Sequence, residues 1–250
     1  MNDRIRIAFR RGLPWALMAL AVTLMLFSAG RHEPWLDEAC TALYAQLSWD
    51  ELIAAMAQER NPPLYYMTVG LFVSAFGLSD LVLRMPSVFA SAGTLVVVWL
   101  AGRRLSASLV VFLTAPLIFH YSGEARHYSF LVVFTTLSLY ALRTSRHRWF
   151  AFSGVFAFFS HYIFLLLLPP MFAVEWLSRK DKLDRRRLIA SFAFIAAVAV
   201  IWFISLGSAH RSTSGIDWMK LYFQDPFFFP FKTLYFFGPT PQFPHYLSHL

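Results

Sequence analysis

Cysteine is almost missing from this chain. Cys40 stands alone among 250 residues, which excludes an internal disulfide and a cysteine-rich metal site. Charge is scarce as well. Asp, Glu, Lys and Arg make up 14% of the residues, too few to cover the surface of a water-soluble domain of this length. No low-complexity tract and no repeat of solenoid period is visible, which excludes a linker-rich or repeat architecture. The first apolar run is longer than a signal h-region and lacks a clear small-x-small cleavage site, so it reads as a retained helix. What fills the chain is apolar: 58% of residues are hydrophobic and 27 are Phe. These values place it in the membrane class. The formal net charge of +8 does not point to nucleic acid, because the basic residues fall in short clusters between apolar runs.

A helix needs about 20 mostly apolar residues to cross the hydrocarbon core. Stretches free of Asp, Glu, Lys and Arg cover residues 12–30, 61–79, 85–102, 105–123, 128–142, 149–174 and 188–209. The basic clusters are Arg4/Arg6/Arg10/Arg11, Arg103/Arg104, Arg143/Arg146/Arg148 and residues 179–187. The positive-inside bias assigns all four to the cytoplasm. An even number of crossings must then separate Arg11 from Arg103, yet three apolar runs lie between them. The weakest is 61–79, which opens with Asn61-Pro62-Pro63, carries Gly70 and is densely apolar only over 64–76. It is expected to lie in the outer interface.

The remaining topology follows. Helix 1 runs outward over 13–29, with the N-terminus cytoplasmic. An external loop over 30–81 holds interfacial helices at 34–47, 49–59 and 64–76. Spanning helices are expected over 82–102, 105–121 and 127–142. The run 149–174 lies between two cytoplasmic clusters, so it must cross twice or not at all. Splitting it at Ser160-His161-Tyr162 gives two short helices that meet near the outer face. A last helix runs outward over 188–206, and the aromatic, Pro-rich segment 207–250 is external. The expected fold is all-α, a single polytopic transmembrane module over 1–250 with about seven spanning helices.

This topology collects the polar residues on one side. The first external loop carries Asp37, Glu38, Glu59, Arg60, Asn61 and Asp80, with Arg84 just beyond it. The next carries Glu124, Arg126 and His127, and His161 sits in the following outer turn. His210, Arg211 and Asp217 follow the last helix. A carboxylate can take a proton from a hydroxyl or amine as it attacks an electrophile. Arginine and histidine can hold a phosphate and stabilise its charge as it leaves. Those parts suit group transfer from a lipid-linked phosphate donor, and they suit a lipid phosphatase too. Plainer readings exist for each residue. Asp37 and Glu38 suit the positive end of an interfacial helix. Glu124 and Arg126 suit a solvated loop pair. Arg84 and Arg60 suit snorkelling. His127 and His161 suit satisfied buried histidines. The cluster 179–187 reads as a topology anchor touching anionic lipid.

The order "WLDEA", "NPPLYYMTVGLFVSAFGLSDLVLRMPSVFASAGTLVVVWLAGRRL", "YSGEARHYSFL" and "SHY" resembles the bacterial integral-membrane glycosyltransferases of the GT-C fold. The nearest group is that of the protein mannosyltransferases and aminoarabinose lipid A transferases, families 39 and 83; the oligosaccharyltransferase catalytic subunit is a more distant relative. The resemblance runs over about residues 13–243. It implies that Asp37, with Glu38 beside it, is the catalytic base, and that Arg84, Arg126 and Arg60 bind the donor phosphate. Glu124, His127, His161 and Asn61 would support them. The family's His-Pro-Pro-Leu appears as Asn61-Pro62-Pro63-Leu64, which removes a titratable ring at position 61. The family's Ser-Gln-Glu-Ala-Arg appears as Ser122-Gly123-Glu124-Ala125-Arg126. In the oligosaccharyltransferase relatives that loop serves a divalent metal site, whereas the mannosyltransferase-like branch needs none; no cofactor is assigned on the resemblance, and a divalent metal is left open. The implied partners are a polyprenyl-phosphate sugar donor, membrane lipid and an acceptor that is protein, lipid or glycan. The implied location is the bacterial inner membrane, with the active site external. Family members usually continue for several further helices, so these 250 residues resemble an N-terminal half. The rival readings are a non-catalytic scaffold of the same fold and a transporter of lipid-linked substrate. The transporter is disfavoured because the expected spanning runs lack the midplane charges such proteins use.

Overall fold

The computed structural model describes residues 3–31, 35–56, 61–102 and 116–206. Arg60, Arg103, Arg104, most of the expected helix 105–121 and the segment 207–250 lie outside the described residues. Among the described residues every regular element is a helix: α1 Asp3–Ala29, α2 Leu36–Tyr44, α3 Trp49–Met56, α4 Leu64–Phe76, α5 Asp80–Ala101, α6 Pro116–Ser122, α7 Tyr128–Arg143, α8 His147–Ser160, α9 Phe164–Ser178 and α10 Lys182–Leu206.

Local chemistry sets these limits. Ser48 and Glu51 form a reciprocal capping box at the start of α3: the Ser48 N–H donates to Glu51 Oε2 at 2.9 Å, and the Glu51 N–H donates to Ser48 Oγ at 3.4 Å. Gly77, at φ 81°, stops α4 in a backbone conformation that glycine tolerates. The Ser79 hydroxyl then caps α5 by accepting the Val82 N–H at 3.3 Å. Ser145, at φ 55°, turns the chain between α7 and α8, and extended His161 breaks the long apolar run into α8 and α9.

Two of these helices, α5 and α10, are long and apolar enough to cross a membrane. The helix expected over 127–142 appears as α7, and the run 149–174 appears, split at Ser160-His161-Tyr162 as expected, within α8 and α9. At 1.5 Å per residue, α7, α8 and α9 are only about 21–24 Å long, short of the roughly 30 Å hydrocarbon core. The turn at Ser145, within the basic cluster Arg143/Arg146/Arg148, and the break at His161, inside apolar sequence, set these lengths.

Contacts fix the direction of each helix. Met18, Ala21, Met25 and Ala29, spaced three and four apart, bury one face of α1 with Val88 and Leu95 of α5. Trp15 meets Trp99 edge to face at 5.0 Å, while the Ala29 carbonyl accepts from Arg84 Nη1 at 2.6 Å, so α1 and α5 run antiparallel. The Ser91 hydroxyl donates to Ser129 Oγ at 3.2 Å, near the start of α7. Ser138 and Ser153 pair at 2.8 Å between α7 and α8, and the His127 and His161 rings are 4.7 Å apart at the other ends of those helices. Arg179, just past α9, returns to Ser145 Oγ at 2.9 Å. The Trp202 indole N–H of α10 donates to Tyr162 OH at 2.8 Å. The helices therefore alternate between two ends. One end holds Ala29, α2, Arg84, the turn 123–127 and His161. The other holds Trp15, Trp99, Ser145 and Arg179.

The core of α7–α10 is centred on Phe150, Phe158, Phe164, Leu188 and Ile195. α8 and α10 approach so closely that a Cβ on Gly154 would lie 2.4 Å from Ile195 Cδ1. Gly154→Val is expected to lower stability by about 1–3 kcal/mol through overpacking, read as a lower unfolding midpoint in detergent. Gly154→Ala is expected to cost less, because Cδ1 is the mobile end of Ile195.

Candidate functional site

Adjacent residues at a helix start point about 100° apart, so Asp37 and Glu38 cannot face the same surroundings. Glu38 faces inward and is 2% exposed. Its Oε1 accepts from Arg84 Nε at 2.9 Å and from the Ala125 N–H at 2.6 Å, and its Oε2 accepts from Arg84 Nη2 at 2.7 Å. Arg84, 1% exposed, also donates to the Ala29 carbonyl. This corrects two expectations. Glu38 is not placed to take a proton from a substrate, because both its oxygens are engaged and shielded. Arg84 is not placed to bind a donor phosphate, because its guanidinium is spent on Glu38 and Ala29. Together they join the end of α1, α2, α5 and the turn 123–127.

That turn is held from both sides. Thr41 of α2 donates to the Ala125 carbonyl at 3.1 Å, beside the Glu38 bond to the Ala125 N–H. Ser87 of α5 donates to the Arg126 carbonyl at 3.2 Å and pairs with Tyr65 OH of α4 at 2.9 Å. Thr41, Ser87 and Tyr65 were not singled out from the sequence. Their only signal there is a hydroxyl at a position whose neighbours on the same helix face are apolar.

With the turn fixed, Arg126 reaches Asp37. Nη2 lies 2.9 Å from Asp37 Oδ2, with Asp37 37% and Arg126 12% exposed. The guanidinium also lies over the Trp35 and Tyr128 rings, at 5.8 and 5.9 Å. Arg126 Nε has no hydrogen-bond partner among the described residues. Glu124 lies beside them and pairs with exposed His120 at 3.0 Å. Burial raises the Glu124 pKa from the ordinary carboxylate value, an effect that His120 opposes and the nearby Glu38 charge reinforces. Asn61 is half-buried and donates to Tyr66 OH at 3.4 Å, so it supports α4 rather than meeting Asp37 in any recorded contact.

His127 and His161 complete the cluster. His127 is 1% exposed, and neither ring nitrogen has a hydrogen-bond partner among the described residues. It is therefore not the satisfied buried histidine of the plainer reading. Burial, then the neighbouring His161 and Arg126, holds its pKa well below the ordinary histidine value. Burial and Arg126 lower His161 as well. A base with a depressed folded pKa must give up folding stability as protons are added, because the unfolded chain binds them first. The unfolding midpoint is therefore expected to fall as pH drops below about 6.5. His127→Gln should flatten that slope, as measured by thermal unfolding between neutral and acid pH. The raised Glu124 pKa acts in the opposite sense in the acid range, so the comparison with His127→Gln isolates the histidine.

Asp37 is paired with Arg126, Glu38 with Arg84 and Glu124 with His120, so each carboxylate already faces a basic group. Among the described residues no group of three or more His, Cys, Asp or Glu side chains is placed to hold a metal ion.

A second ionic cluster lies at the opposite end. Arg179 pairs with Glu175 at 2.8 Å and with Asp184, which also meets His147. The sequence places Arg179 among lipid-facing basic residues, but it is 8% exposed and ties together α7, the turn at Ser145, α9 and α10. The chain matches no family model, no curated protein and no solved structure.

Proposed function

We propose that this chain is a membrane glycosyltransferase module of the GT-C type. It would move a sugar from a polyprenyl-phosphate carrier to an acceptor on the external face of a bacterial inner membrane. The observation that carries this reading is the Asp37–Arg126 pair, held by α2 and the turn 123–127 at the end of the helices opposite Ser145 and Arg179. That alternation supports a polytopic topology in which the basic turns face the cytoplasm and the acid-bearing elements face away from it. It also supports α4 as a helix packed beside α5 at the outer end, since Tyr65 of α4 meets Ser87 there.

Asp37 accepts the proton of the acceptor hydroxyl or amine as that atom attacks the anomeric carbon. The bond from carbon to the phosphate oxygen breaks, its electron pair stays on the phosphate, and the configuration at the carbon inverts. Arg126 stabilises the departing phosphate, for which its unspent Nε–H suits it. Glu38 and Arg84 act as positioning residues, since they tie α2 to the turn that carries Arg126. Glu124 is a second carboxylate at the same place, its pKa raised by burial.

The experiment is incubation of the chain in membranes with radiolabelled polyprenyl-phosphate sugars and extracted cell-envelope acceptors. Release of free carrier phosphate with transfer of label supports the enzyme. Full retention of label on the carrier identifies a scaffold instead.

A further inference from the structure

An apolar groove lies between α9 and α10, and none of its walls belongs to the Asp37 cluster. Pro169 and Phe172 of α9 and Ile189, Phe192, Ala193 and Ala196 of α10 line it, and its volume is about 360 Å³. The helices leave this gap because of what each presents. Ala193 and Ala196 carry single methyl groups, and Pro169 offers only a compact ring. The larger Ile195 is spent on the other side of α10, against Gly154 of α8. α10 is long and apolar enough to cross a membrane, so the groove opens onto hydrocarbon.

One end of the groove is charged. Lys182, Arg185 and Arg186 precede the groove residues Ile189, Phe192 and Ala193 by three, four or seven positions, which is one helix face. Arg187 falls in line with Ser191 and Phe194 instead. At 1.5 Å per residue the three cations lie about 5–10 Å beyond Ile189, the offset of a headgroup phosphate from the first methylenes of its chains. Lys182 and Arg186 are exposed, and neither has a polar partner among the described residues. The acids nearby are occupied: Glu175 pairs with Arg179, Asp184 with Arg179 and His147, and Asp181 accepts the Asp184 N–H. Arg185 joins the charged end to the apolar one. Its guanidinium lies over the Trp176 ring at 4.6 Å and its Nε–H donates to the Arg179 carbonyl at 2.7 Å. Trp176 in turn stacks on Phe172 of the groove wall at 5.6 Å and 20°. A tryptophan between charged and apolar ends has the placement of a membrane-interface residue.

We propose that α9 and α10 form a binding site for one anionic glycerophospholipid, in the leaflet on the Ser145 and Arg179 side. An acyl chain lies in the groove, and the phosphate meets Lys182 and Arg186, with Arg185 held on Trp176 between them. A headgroup that also carries an ammonium brings a like charge against three cations. A helix about 10 Å across would rest on a groove of this size without entering it. A water-soluble acidic partner would meet the cations but not the groove, which faces hydrocarbon. The site requires no part of the glycosyltransferase reading. It is also narrower than the general attraction of a basic cluster for an anionic surface, because particular residues on one helix face act with one groove.

The test is native mass spectrometry of the full chain in detergent, with dioleoyl phosphatidylglycerol and dioleoyl phosphatidylcholine as probes. The first phosphatidylglycerol is expected to bind about tenfold or more tighter than the first phosphatidylcholine. Lys182→Gln/Arg186→Gln should bring that preference to within about twofold. Lys180→Gln/Arg187→Gln removes the same charge away from the groove face and should keep the preference. Ala193→Leu fills the groove with every cation in place, and should weaken the first phosphatidylglycerol by about fivefold or more. Unfolding midpoints report that each variant is folded, and if a charge variant is not, Ala193→Leu decides alone. Equal affinity for the two lipids, equal effects of the two charge pairs, or unchanged binding in Ala193→Leu overturns the site.

Discussion

Asp37→Asn is expected to lower sugar transfer by about 10²–10⁴-fold while the protein still inserts and folds. The carboxamide has nearly the same shape and keeps a hydrogen bond acceptor toward Arg126, but it cannot take a proton from the acceptor. Stability should change little. Asp37 is 37% exposed and its recorded ion pair is with Arg126, and a partly exposed pair of this kind contributes about 0–1 kcal/mol. The measurement is release of carrier phosphate per folded protein, with folding checked by the unfolding midpoint. Transfer within about threefold of the unaltered chain would remove Asp37 as the base, since a general base accounts for far more than that. Glu124→Gln would then be the informative variant, because Glu124 is the other carboxylate beside Arg126 that is not locked into a buried pair.

Arg84→Leu is expected to have the opposite profile, a loss of about 3–5 kcal/mol in stability from stranding a buried carboxylate. Glu38 would keep only the Ala125 N–H, and the turn 123–127 would lose its link to α5 through that pair. The double variant Glu38→Leu/Arg84→Leu should recover part of the loss, because no buried charge is then left unpaired. It should not recover transfer, because the Ala125 N–H has lost its partner and Arg126 is no longer aimed at Asp37. Unfolding by denaturant in detergent measures both. An Arg84→Leu variant within about 1 kcal/mol of the unaltered chain would show that the pair is not what holds the turn, since that is the size of a surface pair.

These two variants also separate what could be read in the sequence from what could not. The helices were legible because punctuation is rare in an apolar chain and therefore informative. Pro62-Pro63 precedes α4, Gly77 ends it, and Ser160-His161-Tyr162 marks the break between α8 and α9. The meeting of Asp37 with the Glu124–Arg126 turn was legible from the alternation of apolar runs with basic clusters. The division of labour between Asp37 and Glu38 was not. Which of two adjacent carboxylates turns inward depends on where α5 packs, and only Arg84 on its buried face decides it. Arg84 itself stands out as a charge near a helix start, but nothing local distinguishes a phosphate ligand from a buried partner. Arg179 shows the same limit. It belongs to a run of like residues, and the one that turns inward is chosen by Glu175 one helical turn earlier and by Asp184 and Ser145. That neither His127 nitrogen has a partner among the described residues leaves no signal in sequence, because satisfaction is a property of the packed neighbourhood.

The central claim is that Asp37 and its turn face away from the cytoplasm, with Ser145 and Arg179 on the cytoplasmic side. Cys40, exposed on α2 one turn beyond Asp37, allows a direct measurement in spheroplasts with a membrane-impermeant maleimide. Cys40 should be labelled in intact spheroplasts. In a Cys40→Ser background, Thr144→Cys, at the exposed turn after α7, should be labelled only after permeabilisation. Labelling of both positions from the same side, or of Cys40 only after permeabilisation, would contradict the external site.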